Sequence, residues 1–122
     1  MPRSNASAKA AGTRFERLIA DCLASSIDDR IDRRVKTGAK DRGDIAGLRV
    51  HAGQRVVLEL KDYGGRYEIG PWLGEAEIER GNDDAIAGLV VAKRRGHSDP
   101  LDQVVICTVR DLIAILTAER PE

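Results

Sequence analysis

Apolar residues recur early in the chain with the period of a helix. Phe15, Leu18, Ile19, Cys22 and Leu23 fall at i, i+3, i+4, i+7 and i+8 and predict one helix from about Ala8 to Ser25. Before it, Met1 to about Ala8 are small and polar and read as a loose arm. The period then changes to two: Ile31, Arg33 and Val35 alternate with Asp32, Arg34 and Lys36, the pattern of a half-exposed strand. A glycine-bounded loop, Thr37–Gly43, leads into two apolar-rich runs flanking His51-Ala52-Gly53-Gln54, which predict a β-hairpin ending at Lys61. Pro71 opens a second helix through Arg80, with Trp72, Leu73 and Ala76 as a thin apolar stripe. Leu89–Ala92 and Val104–Cys107 are continuous apolar runs, as in strands covered on both faces. Thr108, with Asp111 three positions on, caps a final helix whose stripe is Val109, Leu112, Ile113 and Leu116, widened by Ile115. The order is α-β-β-β-α-β-β-α. It predicts an α/β fold in which helices flank a mixed sheet, one domain over residues 1–122.

The hairpin carries the chemistry. With Ala52-Gly53 as a two-residue loop, Val50 lies opposite Arg55, Ala46 opposite Glu59 and Asp44 opposite Lys61. Asp44, Glu59 and Lys61 then share one face, continued toward the turn by Leu48 and Val57. A three-residue loop shifts that register and turns Asp44 away unless a bulge restores it, whereas Glu59 and Lys61 share a face in any register. Two carboxylates and an ammonium at the margin of an apolar face suit Mg²⁺ or Mn²⁺, hard cations that prefer oxygen ligands. Lys61 is placed to orient a water molecule there or to take its proton.

Gly43-Asp44 followed by Glu59-Leu60-Lys61 fifteen positions after the aspartate resembles the PD-(D/E)xK nuclease signature, with Gly43 where the signature is named for proline. Gly12-Thr13-Arg14-Phe15-Glu16-Arg17 is similar to the first-helix motif of Holliday junction resolvases of the archaeal type and their phage relatives. The resemblance spans essentially Gly12 to Lys93. It implies a three-layer-like, restriction-endonuclease-type core and a Mg²⁺-dependent endodeoxyribonuclease that hydrolyses phosphodiester bonds in branched DNA. It further implies Asp44, Glu59 and the Leu60 carbonyl as metal ligands, with Glu16, Asp44, Glu59 and Lys61 as the catalytic set. Glu16 has a competing role, because Thr13-x-x-Glu16 is also a helix capping box.

Formal net charge is zero, so the sum does not advertise a nucleic-acid binder, but the distribution is uneven. Arg33, Arg34, Lys36, Lys40 and Arg42 cluster before the hairpin and Lys93-Arg94-Arg95 after the fourth strand, as candidate contacts to DNA phosphates. Solvated charged faces are the other reading, and Asp28, Asp29, Asp32 and Asp41 offset part of the first cluster. Aromatics make up only 3%, which weighs against a protein that stacks single-stranded bases. Cys22 and Cys107 stand apart in apolar surroundings and read as reduced core residues. With no leader-like or long apolar run, the expected location is the cytoplasm, or the host cytoplasm for a phage protein. Another nuclease of the same fold (a nickase or exonuclease) and a non-catalytic DNA-binding module are the rival functions. The surplus apolar surface of the last helix, and a junction with two strands to cut, lead to the expectation of a homodimer.

Overall fold

The computed structural model describes residues 3–35 and 38–122. Lys36 of the first basic cluster, and Met1 and Pro2 of the expected arm, lie outside them. The chain runs through α1 (Asn5–Ser26), β1 (Asp32–Arg33), β2 (Ile45–Ala46), β3 (Val56–Lys61), α2 (Ile69–Asn82), β4 (Ala87–Ala92), β5 (Val104–Ile106) and α3 (Val109–Thr117), with a 3₁₀ turn at Pro100–Asp102. This is the expected element order, an α/β fold.

The first helix starts earlier than the apolar stripe alone indicates. Ser4 is its N-cap, accepting the Ser7 N–H at 3.1 Å, so most of the expected arm is helical. Thr13 therefore lies inside α1, where its hydroxyl donates to the Lys9 carbonyl at 3.1 Å. The capping box with Glu16 does not form. β1 is also shorter than the alternation predicts: Ile31 is buried, but Val35 is 80% exposed and the ladder covers only Asp32 and Arg33.

β3 and β4 pair in parallel from Val56↔Ala87 to Lys61↔Ala92, and β5 adds to the other side of β4 antiparallel. Parallel neighbours need a crossover, and α2 supplies it. Alternation then sorts the side chains. Leu58, Leu60 and Val91 pack with Phe15 and Ile19 of α1 and with Ile31 and Ile45, whereas Val90 and Ala92 pack with Trp72 and Ala76 of α2. The two helices therefore cover opposite faces of the sheet. α2 approaches closely because β4 carries Gly88, whose Cβ, if present, would lie 2.7 Å from the Ala76 carbonyl oxygen. Glu59 pairs with Val90 and so faces α2.

The hairpin closes on a different register from the one predicted. The Val50 N–H donates to the Gln54 carbonyl at 2.9 Å and Arg49 pairs with Arg55, leaving His51, Ala52 and Gly53 as a three-residue loop. Ala52 has no access to the φ > 0 geometry of a tight type I′ turn without strain, and the longer loop avoids it. Asp44 is not opposite Lys61: its N–H reaches the Leu58 carbonyl at 2.9 Å. The slip is absorbed where Ile45–Ala46 turns from β3 to pair with β1, at glycines that an L side chain would strain. Gly47 has φ +88° and Gly43 φ +92°, and added Cβ atoms would lie 2.9 Å from the Arg30 carbonyl oxygen and 2.8 Å from Val57 respectively.

α3 begins as expected, with the Thr108 hydroxyl accepting the Asp111 N–H at 3.2 Å. Its orientation differs from an ordinary buried stripe. Val109, Leu112, Ile113 and Leu116 point outward, 40–75% exposed, while Ala114 and Asp111 face the sheet.

Candidate metal centre

The site is a ladder between one strand and one helix. Glu59 and Lys61, two apart on β3, stand about 6.6 Å apart along the strand. Glu75 and Glu79, four apart on α2, stand about 6 Å apart along the helix, so the two spacings match. Glu79 meets Glu59 and Glu75 meets Lys61, in opposite chain directions as a crossover helix requires. The Lys61 ammonium donates to Glu75 Oε2 at 2.6 Å and lies 3.3 Å from Glu59 Oε1.

Asp41 comes in from the loop before β2. Carboxylate oxygens of Asp41, Glu59 and Glu79 lie within 4.8 Å of one another. The loop is tied to α2 by Asn82, whose amide donates to the Asp41 carbonyl at 2.7 Å, and Asp41 Oδ1 accepts the Gly43 N–H at 2.9 Å. Asp44 sits at the edge of β3. Its Oδ2 accepts the Leu60 N–H at 2.8 Å, the side chain standing in for a neighbouring strand. That bond fixes a carboxylate, 8% exposed, beside Glu59.

The electrostatics are those of crowded anions. Burial is the larger cause of a raised Glu59 pKa, and the Asp44 charge adds to it while Lys61 opposes it. Glu79 is pushed up to about 10, again first by burial and then by contact with Glu59 and the charges of Asp41 and Asp44. Burial works against the Lys61 charge, but Glu75 and Glu59 outweigh it and hold that pKa above its usual value. Lys61 is therefore a fixed ammonium at neutral pH.

One oxygen each of Glu59 and Glu79 (Oε2 in both) is buried with no hydrogen-bond partner among the described residues. Glu79 is 3% exposed and Glu59 8%, so water does not compensate them. Leaving buried carboxylate oxygens without partners costs several kcal/mol unless a proton or a cation joins them. The donors are all hard carboxylate oxygens, and they fit Mg²⁺ or Mn²⁺ rather than a softer metal.

The other expected site residues lie around this centre in different roles. Glu16, on α1 and so beneath the opposite face of the sheet, has Oε1 3.6 Å from Arg33. Arg34 lies 3.4 Å from the buried Asp83 and is engaged in the fold. Lys93 is turned inward, its ammonium donating to the carbonyls of Arg94 and His97, and Arg94 reaches the Asp102 carbonyl at 3.1 Å. Lys40 and Arg42 are exposed on the loop of Asp41, where they line a cavity of about 180 Å³. Arg95 is exposed on the Lys61 side, its Nε 3.3 Å from the Gly64 carbonyl oxygen.

Glu79 and Asp41 were not among the expected site residues. A signal for Glu79 existed, since Glu75 and Glu79 repeat at helical spacing as Glu59 and Lys61 repeat at strand spacing. Asp41 gave none, standing in a run of basic residues as one more compensating charge.

Comparison with known proteins returns no match among family models, curated proteins or solved structures. Among the described residues no helix is long and apolar enough to cross a membrane.

Proposed function

We propose that this chain is a metal-dependent endodeoxyribonuclease of the PD-(D/E)xK type, acting on branched DNA in the manner of a Holliday junction resolvase. The observation that carries the reading is the convergence of Asp41, Glu59 and Glu79, with one buried, unpartnered oxygen each on Glu59 and Glu79, beside Lys61 and the charge of Asp44. The three-layer arrangement, with α1 and α2 on opposite faces of β3, is consistent with a restriction-endonuclease-type core.

Asp44, Glu59, Glu79 and the Leu60 carbonyl would hold Mg²⁺ or Mn²⁺, with Asp41 at the mouth. When bound, the ion supplies water activation and charge neutralisation at the scissile phosphate. Lys61 acts as a donor that orients water or a phosphate oxygen, a role suited to an ammonium held between Glu75 and Glu59. Glu75 fixes the direction of that ammonium. Lys40, Arg42 and Arg95 are exposed for backbone phosphates, contacts that position DNA without reading its sequence. Arg33 and Glu16 form a half-buried pair between β1 and α1. The outward stripe of α3 supports a second copy of the chain as partner.

The test is cleavage of four-way, nicked and linear DNA in Mg²⁺ or Mn²⁺, alongside titration calorimetry with Mn²⁺. Wild type is expected to cut the junction and to bind the ion. Asp44→Asn and Glu59→Gln are expected to abolish cutting while folding and DNA binding persist. Glu16→Gln is expected to lower turnover at unchanged melting temperature, since no helix cap is at stake. Full activity in Asp44→Asn or Glu59→Gln would refute the mechanism. Cutting confined to nicked or linear DNA would move the protein to the nickases or exonucleases.

A further inference from the structure

A second cavity, of about 630 Å³, has Lys61 in its wall. Its walls are Lys61 and Tyr63 after β3, Arg66 and Arg95 around them, and Arg3 and Gly12 of the N-terminal region. Although the chain holds only four aromatic residues, three of them gather here. Trp72 is buried at 2% exposure and serves as the anchor. Tyr63 and Tyr67 set their rings edge-on to it at 5.1 and 6.3 Å, and both remain about 40% exposed. A tyrosine held by a buried tryptophan is a rigid platform with a surface still open to solvent.

The cations around it are arranged for an anionic chain. The Arg66 guanidinium lies 5.3 Å from the Tyr63 ring centroid, and its side chain is 70% exposed. Its partner Glu68 holds it only by an exposed pair, which is easily exchanged. Arg95 donates to the Gly64 carbonyl at 3.3 Å and is exposed. Arg3 is fixed by the carboxylate and the carbonyl of Asp62, which neutralises one charge of the cleft. The floor is kept open by the helix. Gly12 stands in the interior of α1, where glycine costs about 1 kcal/mol relative to alanine, and a Cβ there would meet nothing within 4 Å.

We infer that this cleft binds an unpaired segment of a DNA strand, a base resting on Tyr63 and phosphates on Arg66 and Arg95, next to the bond to be cut. The volume lies in the range of small-ligand pockets, about 300–1,000 Å³, room for a nucleotide or two. Stacking needs a base face that pairing and neighbouring bases do not cover, as at a branch point or a frayed end. As the base arrives, Arg66 leaves the ring for a phosphate. The inference rests on the nuclease reading for its position beside the scissile bond, and it names what that site accepts: DNA with a locally unpaired strand.

The experiment measures fluorescence anisotropy of a labelled short oligothymidylate and of a blunt duplex, in Ca²⁺ to suppress cutting. Wild type is expected to prefer the oligothymidylate. Tyr63→Ala is expected to weaken that binding roughly tenfold or more and to leave duplex binding nearly unchanged. Because the neighbouring Trp72 packing could suffer, Gly12→Leu is the second variant. It fills the cleft from a helix position with open space, should raise or keep the melting temperature, and should give the same selective loss. Oligothymidylate binding that is absent in wild type, or unchanged in both variants, overturns the inference. Selective loss in both variants, in a protein that cuts no DNA in Mn²⁺, upholds the strand site and removes the nuclease reading instead.

Discussion

Glu79 has the least favourable position of any carboxylate in the molecule. It is buried against Glu59, and its ionised form is opposed first by burial and then by Glu59, whereas its hydrogen bond to Glu59 favours the Glu59 carboxylate. A site built this way is destabilising when empty of any cation and becomes favourable when one is bound, so stability and metal affinity are set against each other. Glu79→Gln keeps the shape and removes a carboxyl that, with its pKa raised to about 10, must take up a proton for the metal-free chain to fold at neutral pH. The metal-free variant is expected to melt higher than wild type. The rise in melting temperature on adding Mn²⁺, a direct consequence of binding the native state, is expected to shrink or vanish. Thermal scans with and without Mn²⁺ check both arms, and a variant that is destabilised without metal yet still gains fully from Mn²⁺ would remove Glu79 from the site.

At the scale of elements, the attachment of α3 rests on another buried carboxylate, Asp111. It accepts hydrogen bonds from Arg120 at 2.6 Å, from the Thr108 hydroxyl at 2.7 Å and from the Gly88 N–H of β4 at 3.2 Å. Burial opposes its charge, but these three donors prevail and its pKa is lowered from the ordinary 3.8. A lowered carboxyl pKa stabilises the fold in full above the unfolded value, and that contribution fades as pH falls through the folded one. Asp111→Ala is expected to cost about 2 kcal/mol or more at neutral pH, and the gap to wild type should close as pH drops below about 3.8. Urea unfolding at neutral and acid pH measures it.

The same elements explain what was legible beforehand. Element order, the start of α3 and the shared face of Glu59 and Lys61 follow from local periodicity, and no tertiary detail alters them. The position of Asp44 does not follow, because two glycines with positive φ and a strand that changes partners decide it. Glu79 escapes for a related reason: a helix pattern shows which residues share a side, but only packing on β4 through Gly88 aims that side at Glu59. The aromatic count is likewise blind to placement. A low percentage says little when three residues converge on one cleft.

For the whole molecule, α3 is where folding leaves its work unfinished. Val109, Leu112, Ile113 and Leu116 form one i, i+3, i+4, i+7 stripe, the pattern by which a helix ordinarily buries itself, yet they lie 40–75% exposed. The helix holds to the sheet by the small Ala114 and by Asp111 instead. A contiguous apolar stripe in water marks an interface. The proposed occupant is a second copy: a two-fold axis along such a stripe pairs the face with itself, and the proposed substrate carries two related strands that one site cannot reach together. The exposed stripe also bears no charge, as a self-complementary contact requires. Sedimentation at micromolar concentration is expected to give a dimer. Leu112→Glu combined with Leu116→Lys is expected to give a folded monomer, because neither side chain supports the core of its own subunit. On a cruciform plasmid the wild type is expected to make paired cuts and the monomeric variant single nicks. A wild type that sediments as a monomer and still makes paired cuts would exclude this face as the interface.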